Sequence, residues 1–219
     1  MNRMLELFSG PDDQGMSGYF RQIGWDVVTI DLEEKYEPTY VMDIHDIDHE
    51  FLDDLGKFDF VWAGVDCSCF SIMTVSHYWD ENGEPNEKNY GEALRSKTVE
   101  IIEYLKPTYF VIENPRAMMR TRLFPKHWAR YTLAYCQYGA LWMKPTDLFG
   151  FLPSSWHPKF CHHPKTCHHE KSPRGSQDSG IQKISLTPIE RSAYPDNMVE
   201  IIALHVNDAV ERGVKSWFI

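Results

Sequence analysis

Two residues of this 219-residue chain combine the type and the setting that group-transfer chemistry requires. Cys67 stands in Gly64-Val65-Asp66-Cys67-Ser68-Cys69-Phe70-Ser71, directly after an apolar run, and Glu113 stands in Glu113-Asn114-Pro115, after another. A cysteine at a strand-to-loop junction is well placed as a nucleophile, because backbone dipoles there favour its thiolate. The other reading is a small buried hydrophobe, which most free cysteines are. A carboxyl half buried at a strand end has a raised pKa and can hold a proton near neutrality. Taken singly, an acid at the start of a helix accounts for Glu113 equally well. The pairing of thiol and carboxyl on neighbouring strand ends favours nucleophilic catalysis.

A second group of residues suits an adenosine-containing cofactor. Ligands of open α/β sheets bind beyond the C-terminal ends of the strands. The first strand ends at Phe8-Ser9-Gly10 and turns through Gly15 and Gly18. The Gly10-to-Gly15 spacing resembles a phosphate-binding loop, but Met16 stands where that motif needs lysine, so phosphate cradling of that type is not expected. Small residues here still let a ligand approach the backbone; an ordinary tight turn is the other reading. Asp31, followed by Leu32, closes the second strand and is placed to accept hydrogen bonds from ribose hydroxyls. Asp43 and Ile44 close the third and suit an adenine edge. Each acid alone also fits a solvated loop.

A third group is the run from Cys161 to His169, with two cysteines and four histidines. Zinc takes four such ligands tetrahedrally, and Cys161, His163, Cys167 and His168 are the expected set. A solvated histidine-rich loop is the alternative. Arg174 lies just beyond and suits a phosphate, or a flexible turn.

The elements that must position these groups read as an α/β domain. Strands are expected over 3–8, 26–31, 40–43, 58–64 and 109–115, with helices over 15–23, 91–105 and 196–213. Residues 65–90 read as a long polar loop, 116–130 as a basic helix and 131–150 as a strand pair. The stretch 152–184 is poor in aliphatics and rich in Pro, His, Ser and Gly, so it reads as an irregular insert within one domain spanning 1–219. With 42% hydrophobic and 14% aromatic residues, the chain is not of disordered composition. No apolar run approaches the ~20 residues that cross a bilayer, and MNRMLELFSG lacks a secretory stretch. Five cysteines without an export signal point to a reducing cytoplasm.

Net charge is −10, which opposes a polyanion partner, yet it is unevenly spread. Segment 31–60 holds eleven acids against two lysines, whereas 114–150 holds six basic residues, among them Arg116, Arg120 and Arg122, against Asp147 alone. One acidic and one basic face, or two solvated faces, both accommodate this.

Together these motifs resemble the C5-cytosine DNA methyltransferases, over essentially the whole chain. Glu6-Leu7-Phe8-Ser9-Gly10 resembles that family's cofactor loop, the Cys67 segment its Pro-Cys loop, and Glu113-Asn114-Pro115 its Glu-Asn-Val motif. Tyr138-Gly139 with Lys144 takes the place of a later Gln- and Arg-rich motif, and Arg191-Ser192-Ala193-Tyr194-Pro195 resembles the closing motif. The resemblance implies a Rossmann-like S-adenosylmethionine-dependent sheet and a small, phage-type member acting in a bacterial or phage-infected cytoplasm. It implies a Cys67 nucleophile, with Glu113 and Asn114 at the base and Lys144 standing in for the arginine. The cofactor would lie against Phe8, Ser9, Gly10, Asp31, Leu32, Asp43 and Ile44. Duplex or single-stranded DNA would lie against Ser71, Arg116, Arg120, Arg122 and Arg174. Asp66 replaces the family's proline, and its charge beside Cys67 opposes thiolate formation. Residues 152–184 fill the slot of a much larger target-recognition region, so a partner protein is a candidate source of specificity. The same chemistry on RNA or a free cytosine nucleotide, or an inactive binding homologue, are the competing readings.

Overall fold

The computed structural model describes residues 1–11, 15–163, 165–170, 187, 190 and 192–213. Seven strands form one sheet: β1 (Arg3–Leu7), β2 (Asp26–Asp31), β3 (Tyr40–Val41), β4 (Phe60–Gly64), β5 (Tyr109–Pro115), β6 (Ala129–Ala134) and β7 (Pro145–Phe151). Their order is β3-β2-β1-β4-β5-β7-β6. The first five run parallel, while β7 is antiparallel to both β5 and β6. The helices are α1 (Ser17–Gln22), α2 (His49–Leu55), α3 (Val75–Tyr78), α4 (Gly91–Leu105) and, at the C-terminal end, α5 (Asp196–Glu211). This is the expected Rossmann-like α/β class.

The alternation of side chains along each strand divides the core into two layers. Leu5, Val61, Phe110 and Ile112 face α2 and α4, packing with Leu52, Leu55, Ile101 and Ile102. Met4, Phe60, Trp62 and Val111 face the other way, onto Phe20 of α1 and Met198, Ile202 and Val206 of α5. Trp62 and Ile202 are fully buried, so truncating Ile202 to alanine should cost roughly 2–5 kcal/mol.

Most expected boundaries hold. Helix α4 spans 91–105 as read, because Lys106 takes a left-handed backbone (φ 48°) and Pro107 follows. The segment 116–130 is not a helix. After one 3₁₀ turn at Met118–Thr121 the chain extends into β6, whose Ala129–Ala134 stretch pairs with β7. Pro125 interrupts the helical pattern, and the ladder to β7 satisfies the backbone instead. Helix α2 has no counterpart in the sequence reading, although Asp48 caps it by accepting from Phe51 N at 2.8 Å. Within 152–163 and 165–170 neither helix nor strand forms.

No helix among the described residues is long and apolar enough to cross a membrane.

Candidate active site

The parallel strands β1, β4 and β5 end side by side, with Gly64 paired to Glu113 and Leu7 to Ala63. Cys67, Glu113 and Lys144 therefore meet in one cavity of about 440 Å³, together with Phe8, Ser9, Gly10, Asp66, Ser71 and Tyr194. A second cavity, about 730 Å³, lies over β1, β2 and β3 and is lined by Asp31, Leu32, Asp43, Ile44, Tyr36 and Tyr90. The two share Phe8, Gly64 and Asp66. A ligand in one would thus adjoin a ligand in the other at the tip of β4.

Local chemistry explains the loop after β1. Both carboxyl oxygens of buried Glu6 accept backbone N–H bonds at the start of α1, from Met16 at 2.9 Å and Ser17 at 2.8 Å. Those are the donors that a phosphate-binding loop would offer its ligand, and here a carboxyl of the chain already takes them. Gly15 sits close beside them: a Cβ there would lie 3.0 Å from a Glu6 oxygen, a tight contact. Phe8 adopts a left-handed backbone (φ 58°), fixed by its N–H to Ile30 O at 2.9 Å. Asp31 accepts from Gly10 N at 2.9 Å and so ties the ends of β1 and β2 together.

Cys67 is an exposed residue at the cavity wall. Desolvation of its thiol pushes the pKa up; the positive charge of Lys144 pulls it down, and Glu113 and Asp66 push it up again. The opposing effect of Asp66 is in the expected direction but ranks behind burial and Glu113. Its carboxylate is well bonded: Oδ1 accepts from Ser68 N and Oγ at 2.9 and 2.8 Å, and Oδ2 accepts from Tyr90 OH at 2.6 Å. Asp66 thereby folds the loop that presents Cys67.

Glu113 is 5% exposed. Burial raises its pKa, while Lys144 and hydrogen bonds from Tyr135 and Tyr194 work against that rise. The Tyr135 hydroxyl lies 3.3 Å from Oε1. Tyr194 also accepts from Trp62 Nε1 at 3.1 Å, so the carboxyl sits in a fixed buried cage. Sequence reasoning did not single out Tyr135, and took Tyr194 only as part of a motif; both sit at the carboxyl. Buried Asn114 donates from Nδ2 to Val65 O at 2.8 Å. Lys144 has a left-handed backbone (φ 27°), and its Nζ lies 4.6 Å from the Tyr135 ring centre.

Of the residues expected to meet nucleic acid, three arginines are engaged by other side chains of this chain. Ser71 lines the smaller cavity. Arg116 stacks over Phe160 at 5.9 Å. Arg120 pairs with buried Asp147 at 3.1 Å, and Arg122 with Glu84 and Glu92 at 3.2 and 3.4 Å. Arg174 lies outside the described residues.

Of the four expected metal ligands, the structure brings Cys161 and Cys167 together. The donor atoms brought within 4.8 Å of one another are those of Cys136, Cys161, Cys167 and His169. His163 and His168 are not in that group. The carbonyl of His163 closes a turn by accepting from Thr166 N and Cys167 N at 3.1 and 3.0 Å, while His168 Nε2 lies 3.1 Å from Ala140 O. Cys136 follows β6, far away in sequence, and only the packing of the insert against that turn reveals it.

The chain is 32% identical over 170 residues to a "Probable DNA (cytosine-5)-methyltransferase" of Frog virus 3 (isolate Goorha), covering 70% of this chain and 74% of that protein. Two solved structures share 15% identity over 68% of this chain. One is an E. coli protein described as a "putative DNA modification methyltransferase encoded within prophage", with a TM-score of 0.46; the other is S. pombe Dnmt2 methyltransferase, at 0.44. This chain covers 46% and 50% of their respective lengths. The sequence profile of the C-5 cytosine-specific DNA methylases matches residues 2–128, which span β1 to β5 with both Cys67 and Glu113, and the chain belongs to that family.

Proposed function

We propose that this chain methylates C5 of cytosine in DNA through a covalent Cys67–C6 adduct. The observation that carries the reading is the meeting of a nucleophilic thiol, a buried carboxyl of raised pKa and a lysine in one cavity, beside a larger one that suits an adenosine. S-Adenosylmethionine, the donor that the family implies, supplies an electrophilic methyl group when bound. The residues fit it: Asp31 and Asp43 offer carboxylate acceptors for hydroxyl and amino groups, and Phe8, Leu32 and Ile44 offer apolar contact.

Cytosine C5 is a poor nucleophile until the ring is activated. Cys67 sulfur forms a bond to C6 as its proton passes to solvent water, and the C5=C6 electron pair moves into the ring toward N3. Glu113, whose pKa burial raises, hydrogen-bonds N3 and offsets the developing negative charge. Lys144 adds positive charge to the same cavity. The resulting enamine carbon, C5, would take the methyl group with S-adenosylhomocysteine as the leaving thioether; solvent water then removes the C5 proton, and the S–C6 bond breaks with its electron pair returning to Cys67 as the C5=C6 bond re-forms. Asn114 keeps the Cys67 loop at the right height above β5. In duplex DNA the base must first leave the stack, at a cost of a few kcal/mol.

We place 1–219 in one catalytic domain, with 152–184 as a short insert where relatives recognise their target, so sequence choice falls to a partner protein. Five free cysteines suit the reducing cytoplasm of a bacterial or phage-infected host. A second reading moves the same chemistry to RNA or a free cytosine nucleotide. Two observations favour it: Arg120 and Arg122 are engaged by acids of the chain, and net charge is −10.

Labelled methyl transfer to duplex DNA, single-stranded DNA, RNA and cytosine nucleotides tests both. Label in DNA that disappears in Cys67→Ala is expected. Label in RNA or nucleotide alone transfers the activity to the second reading, and full labelling by Cys67→Ala overturns the mechanism.

A further inference from the structure

The strongest cluster of ligating side chains outside the active site is Cys136, Cys161, Cys167 and His169. We propose that these four residues hold one zinc ion, and that the ion ties the irregular insert to the turn that carries Tyr135 and leads to Lys144.

Geometry supports the ligand set. Zinc–ligand bonds of about 2.0–2.3 Å arranged tetrahedrally place donor atoms roughly 3.5–4 Å apart, and these four donors all lie within 4.8 Å of one another. Three cysteines and one histidine are a common structural zinc set, and thiolates select zinc over harder cations. His169 provides an independent observation. It is only 7% exposed, and its Nδ1 has no hydrogen-bond partner among the described residues. A buried, unpartnered ring nitrogen is costly unless something binds it. Cys136 and Cys161 are buried as well, packed with Ala134, Met143 and Phe160, and all five cysteines of the chain are free thiols. A dry shell of this kind is what surrounds a closed structural site.

The position of the cluster gives the ion its role. Three ligands come from the insert, which forms no helix or strand in its described part. The fourth, Cys136, belongs to the 3₁₀ turn Tyr135–Tyr138 after β6. Among the described residues the bonds between the two segments are Ala134 N to Lys159 O at 3.0 Å, Lys159 N to the Tyr138 hydroxyl at 3.1 Å, Gln137 Nε2 to Cys167 Sγ at 3.7 Å, Glu170 N to Leu141 O at 2.7 Å and the His168–Ala140 contact at 3.1 Å, and the ion would add four coordinate bonds to them. Tyr135, next to Cys136, reaches Glu113 through its hydroxyl and bonds Met143 O through its N–H at 2.8 Å. Met143 precedes Lys144. Fixing Cys136 and the insert therefore fixes the segment that bears two active-site contacts.

The test is the metal content of the full chain, followed by cobalt(II) substitution. One zinc per chain is expected, and cobalt should give the intense visible bands and thiolate charge transfer of a tetrahedral site. Cys167→Ser and His169→Ala should each lose the bound metal, whereas His163→Ala and His168→Ala should keep a full equivalent. Cys136→Ser adds the cross-link itself; since Cys136 is buried, Cys167→Ser, at a less buried position, guards against a folding failure. A chain that takes up neither zinc nor cobalt, or Cys167→Ser and His169→Ala variants that retain a full equivalent, overturns the site. Chelation should raise hydrogen exchange over 135–144 at least tenfold while leaving β1 and β4 unchanged; no change there overturns the tie. These readouts do not involve methyl transfer, so they stand or fall apart from the proposed activity.

Discussion

Asn114 Nδ2 donates to the carbonyl of Val65 at 2.8 Å, joining the end of β5 to the loop that leaves β4. The bond spans the boundary between the strand bearing Glu113 and the segment bearing Cys67, two residues beyond Val65. Neither side chain of the proposed chemistry makes this contact itself, yet it sets their separation.

Asn114→Ala removes that donor and leaves a buried carbonyl unpaired, at a cost of about 1–3 kcal/mol. Thermal unfolding should show the loss. Methyl transfer should fall much further, by about a hundredfold for displaced reacting groups, while cofactor affinity measured by calorimetry stays within about twofold of wild type. A variant with full turnover would remove Asn114 from its positioning role.

Gly64 faces the Tyr194 hydroxyl so closely that a Cβ would collide with it. Gly64→Ala should therefore push Tyr194 away from Glu113. Overpacking of this kind costs roughly 1–3 kcal/mol, and a fall in kcat larger than the fall in stability is expected. Tyr194→Phe in the same background should relieve part of the stability loss but none of the lost turnover.

Glu113 has a pKa raised by burial, and the sign of its effect on stability follows directly. The folded chain keeps the proton at pH values where the unfolded chain has lost it. Stability is thus fully present below the ordinary carboxylate pKa and declines as pH rises through the raised folded value. Melting temperature against pH should show that decline, and Glu113→Gln should flatten it. An identical pH profile in both proteins would show that folding leaves the Glu113 pKa unshifted.

Asp66 pushes the Cys67 thiol up, behind burial and Glu113. Asp66→Asn keeps an acceptor for Ser68 and removes the charge. The pH midpoint of Cys67 alkylation should move downward in that variant. Tyr90→Phe, which removes the 2.6 Å bond to Asp66, instead loosens the loop and should leave more of the negative charge facing Cys67.

The strand ends were legible because parallel strands buried on both faces read as short apolar runs, and each gives way to polar, glycine or proline residues: Ser9-Gly10 after β1, Asp31 at the end of β2, Gly64 at the end of β4 and Glu113-Asn114-Pro115 at the end of β5. Helix α4 was legible at both ends for a similar reason. Helix α2 was missed even though Asp48 and the Leu52–Leu55 pair carry a start signal and an apolar face. Residues 116–130 were misread because their basic spacing resembles a solvated helix. Only the fold shows Arg120 reaching Asp147 on β7 and Arg122 reaching Glu84 and Glu92. The same limit hid Tyr135 from the active site and Cys136 from the metal cluster: each acts through a partner distant in sequence. His169 rather than His168 brings a ring nitrogen within reach of all three thiols, while His168 Nδ1 lies 3.8 Å from Cys167 Sγ alone; adjacent residues in an irregular loop give no period from which to choose.

The central claim is the bond between Cys67 and cytosine C6, and trapping tests it most directly. A DNA duplex carrying 5-fluorocytosine blocks the last step, because fluorine cannot leave C5 as a proton does. Incubated with the chain and S-adenosylmethionine, it should yield a denaturant-resistant adduct whose peptide maps to Cys67, and Cys67→Ala should yield none. An adduct on another residue, or methyl transfer to ordinary cytosine with no adduct on the fluorinated base, would contradict the account.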